Sequence, residues 1–170
     1  MTRTLIVGLG NPILSDDSVG LHIARLLREK LSGEDGVKVI ELYAGGIRLI
    51  DVLAGWDRAI LVDAMLTGTR RPGEWLSFQL AAGEVDGMPV TRNASSTHDM
   101  NFATAIEMGR MLGMPMPAEV WVWGVEAADV ETFSEKPTEA VSLSVGRVAE
   151  EVAAAVAPRG AIHQSAGGVS

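Results

Sequence analysis

Short apolar runs and amphipathic stretches alternate along the chain, which predicts strands separated by helices. Nearly continuous apolar runs are typical of strands that are covered on both faces of a sheet. Such runs occupy residues 5–7, 37–42, 58–62 and 120–125. Residues 74–80 instead alternate apolar and polar side chains, which indicates a strand at the edge of the sheet. We therefore expect about five strands, one of them at an edge.

Apolar positions recur at helical spacing in four further stretches, and each predicts a helix with one buried face. Their expected bounds are 15–33 with Ser15 as N-cap, 47–55, a stretch from Thr97 or His98 to Gly113, and 137–158 between two prolines. Strands that alternate with helices favour right-handed crossovers and parallel pairing. The pattern thus predicts a three-layer α/β/α fold around a twisted, mostly parallel central sheet.

The length of the chain fits one domain with a single well-buried core, since it has 170 residues. We assign residues 1–157 to this domain. The remaining residues, 158–170, are small and polar, and we expect them to form a disordered tail. Monomer is the default expectation for a domain of this size.

Composition narrows the class of protein further. The net charge of −8 argues against a nucleic-acid partner, because phosphate binding needs a basic surface. No apolar run approaches the ~18 residues that a membrane span requires, and the N-terminus lacks a secretory signal. The chain has no cysteine, which excludes thiolate chemistry and is compatible with a cytoplasmic location.

The loop after the first strand carries the densest set of candidate functional residues. Gly10 and Asn11 form a turn, and Asp16 and Asp17 follow at the start of the predicted helix. Both acids can be explained as first-turn residues that suit the helix dipole. In an open α/β sheet, however, ligands bind at the carboxyl ends of the strands, where this loop is expected.

Two more candidates follow from the same edge of the sheet. Asp63 comes directly after the strand at 58–62, and His98 stands at the expected start of a helix. Taken singly, Asp63 could cap the next segment and His98 could be incidental. Together, Asp17, Asp63 and His98 would converge as two carboxylates and one imidazole. That set suits a divalent metal such as nickel or zinc, or acid–base chemistry on a bound group.

Other standard sites are missing from the sequence. It contains no HExxH zinc-protease helix, no GxSxG nucleophile elbow and no phosphate-binding GxxxxGK[ST] loop. The glycines at the first turn also fall short of the dinucleotide-binding fingerprint, because Ile13 occupies the place of its third glycine.

In sequence order, GLGNPILSDDSVG at 8–20, Asp63 in ILVDAM and His98 in SSTHD resemble the [NiFe]-hydrogenase maturation proteases. The resemblance extends from Leu5 to about Val156. It implies a phosphorylase/hydrolase-like fold and a cytoplasmic endopeptidase that removes the C-terminal peptide of the hydrogenase large-subunit precursor. Asp17, Asp63 and His98 would then contact nickel supplied by the precursor, with Gly10, Asn11 and Asp16 shaping the loop. The long loop at 83–96 is our candidate for contacting the large subunit.

The sequence departs from the family pattern in two places. Ser18 stands where the acidic pair is usually followed by glycine. The loop after the second strand reads AGGIR at 44–48, whereas in the family it is often glycine-rich and followed by threonine. The second departure bears on substrate recognition more than on the site itself.

Two alternatives remain to be weighed. Peptidyl-tRNA hydrolases also open with GLGNP, but their tyrosine and Arg-His-Asn run is replaced here by Ser15 to Ser18, and the negative charge suits tRNA poorly. A chaperone that binds the nickel site of the precursor without cutting it would need the same three residues as the protease. Only a cleavage assay separates that alternative from the protease.

Overall fold

The computed structural model describes residues 1–43, 45–80 and 101–157. Five strands form one sheet: β1 (Thr4–Leu9), β2 (Val37–Leu42), β3 (Arg58–Met65), β4 (Trp75–Gln79) and β5 (Glu119–Glu126). The helices are α1 (Val19–Lys30), α2 (Ile47–Leu53), α3 (Phe102–Met111) and α4 (Glu139–Val156). None of the helices in this described part is long and apolar enough to cross a membrane.

The strand order in the sheet is β2-β1-β3-β5-β4. All neighbouring strands run parallel except β4, which pairs antiparallel with β5 at one edge. The predicted fold class and the predicted edge strand are both confirmed. Because four strands are parallel, their carboxyl ends lie along one edge of the sheet, called here the carboxyl edge.

Helices cover both faces of the sheet and bury two separate apolar layers. α1 and α4 pack on one face, where Ile23, Ile60 and Val148 are fully buried. α2 and α3 pack on the other face, against Leu9, Leu61 and Val122. Successive side chains along each strand therefore face opposite apolar layers, as expected for a sheet that helices cover on both faces.

The structure corrects several predicted boundaries. β3 runs to Met65 and β5 to Glu126, so Asp63 and Glu126 lie within strands rather than after them. α3 begins at Phe102, later than predicted, because Asn101 has an extended backbone and its side chain caps the helix by accepting from Thr104 N at 2.7 Å. α4 begins at Glu139, two residues after Pro137. The predicted tail at 158–170 lies outside the described residues.

Ser15 is not the N-cap of the first helix. Residues Ser15–Ser18 form a separate 3-10 helix, called here the acidic turn, and α1 follows it at Val19. Neither helix has a side-chain cap; the Ser18 hydroxyl donates instead to the Ser15 carbonyl oxygen at 2.6 Å.

Close backbone contacts at Gly8 and Gly20 fix the first turn of α1 against the sheet. A Cβ atom on Gly20 would collide with the carbonyl oxygens of Leu9 and Val62, and one on Gly8 would collide with the carbonyl oxygen of Gly20. Gly20 thus lies against the last residue of β1 and against the residue of β3 that precedes Asp63. This close approach brings the acidic turn to the carboxyl edge.

We expect Gly20→Ala to lower the free energy of unfolding by at least about 2–3 kcal/mol, since the colliding atoms belong to the backbone of two central strands. Gly146→Ala is the matched control: it lies on the exposed side of α4, and its Cβ would meet nothing within 4 Å. That substitution should stabilise by up to about 1 kcal/mol. Urea unfolding measures both, and equal effects would contradict the packing argument.

Candidate active site

The acidic turn is buried as a unit at the carboxyl edge, since all four of its residues are buried. Ser15 has a φ of 34°, a left-handed conformation that costs energy for a residue other than glycine. It is held there by its N–H, which donates to the carbonyl of Ser134 at 2.9 Å. A side chain on Gly10 would collide with the Asp17 carbonyl oxygen, so the end of β1 also packs directly on this turn.

Asp17 faces back toward the end of β1. Its Oδ2 accepts from the backbone N–H of Asn11 at 3.2 Å, and only 5% of the residue is exposed. The Asn11 side chain in turn accepts from Ile13 N at 3.1 Å, which shapes the loop between them. Gly10 and Asn11 therefore lie where the sequence predicted, beside Asp17.

Asp63 lies on the same edge, near the end of β3, and is fully buried. Its Oδ1 accepts from Ala64 N at 2.9 Å. The residue that pairs with it in β5 is Gly124, so no side chain stands opposite the carboxylate on that strand. The structure thus places two buried carboxylates at the carboxyl edge, Asp17 in the turn that follows β1 and Asp63 near the end of the adjacent strand β3.

His98 lies outside the described residues, as does the predicted contact loop at 83–96. The described chain resumes at Asn101, the N-cap of α3. The other end of α3 leads to Ala118, whose N–H donates to the carbonyl of Asp57 at the amino end of β3. The C-terminus of α3 thus lies toward the amino ends of the parallel strands, so its N-terminus lies toward the carboxyl edge. Within the described ranges no group of three His, Asp or Glu side chains is arranged to hold a metal ion. The triplet with His98 stays a prediction.

Asp16 faces away from Asp17, into the connection between β5 and α4. Its Oδ2 accepts from the N–H groups of Ala128 at 2.8 Å and Asp129 at 2.9 Å. Its Oδ1 accepts from Thr138 N at 2.6 Å, and the Thr138 hydroxyl also donates to this carboxylate. Asp16 is fully buried. The sequence placed it in the loop, but its partners lie more than 110 positions away and left no local signal.

Glu126 is a buried acid at the same edge that sequence reasoning missed. It is 2% exposed, and its Oε1 accepts from the N–H groups of Thr67 and Gly68, each at 2.9 Å. Its Oε2 accepts from the Thr67 hydroxyl at 2.8 Å. Glu126 therefore anchors the segment that follows β3. The sequence signal that could have identified Glu126 is an acidic residue at the end of a buried strand, the same signal that identified Asp63.

Asp129 stabilises the outer part of the β5–α4 connection. Its Oδ1 accepts from Glu131 N at 3.0 Å and Thr132 N at 2.9 Å. Hydrogen bonds from Thr132, and then from Glu131, hold the pKa of the Asp129 carboxyl below its usual value. This turn supports the N–H and carbonyl of residue 129 that both bond to Asp16.

Chemically, the carboxyl edge offers carboxylate oxygens in a buried setting. Carboxylates suit hard or borderline divalent metals and can act as general bases. The oxygens of Asp16 and Glu126 each accept from several donors and so anchor the neighbouring segments. Asp17 and Asp63 are the two acids that the sequence assigned to the site. The four acids at this edge therefore divide into two candidate functional groups and two structural anchors.

A comparison with protein families matches residues 21–155 to the model described as "Hydrogenase maturation protease". The chain belongs to this family. It is accordingly a hydrolase of the endopeptidase type. The matched segment begins just after the acidic turn and therefore does not include Asp16 and Asp17.

Individual relatives agree with the assignment of this maturation protease. It is 27% identical over 169 residues to the hydrogenase 2 maturation protease of Escherichia coli K12, covering 95% of this chain and 99% of the relative. A solved structure of the maturating endopeptidase HybD from E. coli superposes with a TM-score of 0.72 at 23% identity, covering 91% of each chain. The [NiFe] hydrogenase maturation protease HybD of Thermococcus kodakarensis gives 0.64 at 25%, over 89% of this chain and 97% of that one.

In this maturation protease, we expect Glu126→Ala to cost about 1.5–3 kcal/mol of unfolding free energy, because it removes a buried, charged acceptor from Thr67 N, Gly68 N and the Thr67 hydroxyl. Glu126→Gln should cost only about 1 kcal/mol, since its carbonyl can accept from both N–H groups while its amide donates to the Thr67 hydroxyl. Denaturant unfolding of the two variants tests this difference. Equal losses would show that Glu126 does not act through these bonds.

Proposed function

We propose that this protease removes the C-terminal peptide of a [NiFe]-hydrogenase large-subunit precursor once nickel has been inserted. The observation that carries the proposal is the pair of buried carboxylates at the carboxyl edge, Asp17 and Asp63, in a chain of this family. Carboxylates are costly to bury, so two of them kept at the edge where α/β sheets bind ligands favour a functional role.

Nickel in this proposal belongs to the substrate. The precursor's metal centre docks at the carboxyl edge, where Asp17, Asp63 and His98 contact it. This chain contributes no thiolate, since it has no cysteine. Carboxylate and imidazole ligands suit a contact that recognises the metal and then releases it with the product.

The proposed chemistry is hydrolysis of one peptide bond near the metal. The metal polarises the scissile carbonyl or a water molecule, and the water oxygen adds to the carbonyl carbon. The C–N bond then breaks, and the proton lost by the water reaches the leaving amine. One of the three site residues would carry that proton as general base and acid.

Exposed apolar side chains beside the acidic turn support a protein as the substrate. Ile13 is 48% exposed and Phe133 is 79% exposed. They are neighbours across the loop, because Ser134 N donates to the Ile13 carbonyl at 2.9 Å and Leu14 bridges to Phe133. Apolar residues of this size at a binding edge are typical of surfaces that a protein partner covers.

The first test mixes the purified protein with a nickel-loaded and, separately, with a nickel-free large-subunit precursor, and resolves products by intact mass. We expect loss of the C-terminal peptide only from the loaded precursor. Asp17→Asn, Asp63→Asn and His98→Ala should each reduce the cleavage rate by about 100-fold or more, because each removes a contact to the metal.

Asp35→Asn is the matched control, since this exposed acid lies in the turn before β2, at the opposite edge of the sheet. Unchanged cleavage in both Asp17→Asn and His98→Ala would refute the site assignment. Tight binding of the loaded precursor without any cleavage would instead support the chaperone alternative.

A second test concerns docking. Phe133→Ser should raise KM for the precursor about 10-fold while kcat changes little, because the side chain is exposed and is not one of the proposed metal contacts. Met111→Ser is the control: Met111 is 82% exposed at the far end of α3. Steady-state kinetics on the nickel-loaded precursor decide, and equal KM values for both variants would exclude Phe133 from the docking surface.

A further inference from the structure

We infer that Asp16 is a positioning residue that acts through Asp17. It holds the acidic turn so that the neighbouring carboxylate faces the candidate site. This inference rests on the proposed function, because it assumes that Asp17 contacts the nickel of the precursor.

The first observation is the set of donors around the Asp16 carboxylate. Three backbone N–H groups and one hydroxyl, from Ala128, Asp129 and Thr138, donate to its two oxygens at 2.6–3.0 Å. The main chain adds a further bond, since Asp16 N donates to the Asp129 carbonyl at 2.9 Å. Charge-assisted bonds of this kind are stronger than neutral ones, and the side chain that accepts them is fully buried.

The second observation is that Asp16 stabilises the start of α4. Thr138 is the N-cap of that helix, yet its side chain makes no capping bond, because its hydroxyl donates to Asp16. The carboxylate lies at the positive end of the α4 dipole and accepts from the N-cap N–H. One side chain thus ties the acidic turn to two points of the β5–α4 connection.

The third observation links these anchors to Asp17. Both acids belong to one 3-10 turn, in which successive side chains point about 120° apart. With Asp16 directed into the β5–α4 connection, Asp17 is directed to Asn11 and the end of β1. The Asp17 N–H also donates to the Leu14 carbonyl at 2.9 Å, so a backbone hydrogen bond closes the turn that holds both acids. Releasing Asp16 would therefore change the direction of Asp17.

Asp16→Asn is the informative substitution. An amide keeps the size of the side chain but presents one NH2 group, which must face either the Thr138 N–H or the N–H pair of Ala128 and Asp129. Donors would then oppose donors, and the turn would loosen. Loss of a group that supports a metal contact usually costs 10–100-fold in affinity or activity.

The test measures affinity for the nickel-loaded and nickel-free precursors, because their ratio can be measured in variants that no longer cleave. We expect Asp17→Asn to abolish most of the preference for the loaded form and Asp16→Asn to reduce it about 10-fold or more. The double variant should match Asp17→Asn alone, since Asp16 has no effect of its own on the metal once Asp17 is neutral. A purely structural role would not produce this non-additivity.

Two further variants keep the test decisive. Thr138→Val removes one hydroxyl donor but leaves all three N–H bonds, so it should lower the ratio by only a few-fold and serves if Asp16→Asn fails to fold. Val152→Ala, in the buried layer under α4, lowers stability away from the carboxyl edge and should leave the ratio unchanged.

The outcomes separate the two proposals. If Asp17→Asn leaves the ratio unchanged, the proposed function at this site is wrong. If Asp17→Asn lowers the ratio but Asp16→Asn does not, or the two effects add, the positioning role is wrong and the proposed function stands.

Discussion

The packing of a helix start directly on two strand ends is the constraint from which the rest of this site follows. Gly8 and Gly20 remove the side chains that would separate α1 from β1 and β3, and Gly10 does the same beneath Asp17. Without that approach, the acidic turn would stand about one side chain further from the sheet. The carboxylates at 17 and 63 would then belong to separate surfaces instead of one edge.

Burial imposes the second constraint, because a carboxylate removed from water must be satisfied by nearby donors. Asp16 and Glu126 meet it with backbone N–H groups and a threonine hydroxyl each, and in doing so they fix the segments on either side of the site. Asp17 accepts from Asn11 N, and this bond directs its side chain toward the end of β1.

Much of the fold could be predicted from sequence because its signals are local. Apolar runs located the four parallel strands, alternation identified the edge strand, and glycine with proline marked the turns. The carboxyl ends of β1 and β3 then placed Asp17 and Asp63 at the same edge, since parallel strands end on one side of the sheet, and the structure shows that these two strands are neighbours. The ends of elements were harder: Asn101 caps α3 through a bond to Thr104 that no periodicity reveals, and β3 continues through Asp63 because β5 pairs with it to the end.

The roles of the two adjacent acids could not be predicted from sequence, and the reason is geometric. Asp16 and Asp17 are the same residue type at neighbouring positions, so composition, charge and helix propensity treat them alike. They differ only because a 3-10 turn sends their side chains in different directions, one toward residues 128, 129 and 138 and the other toward Asn11. The partners of Asp16 come from the far end of the chain, and only the closed sheet brings them within bonding distance. An acidic pair at a strand end is therefore better understood as one structural anchor and one candidate metal contact than as two equivalent ligands.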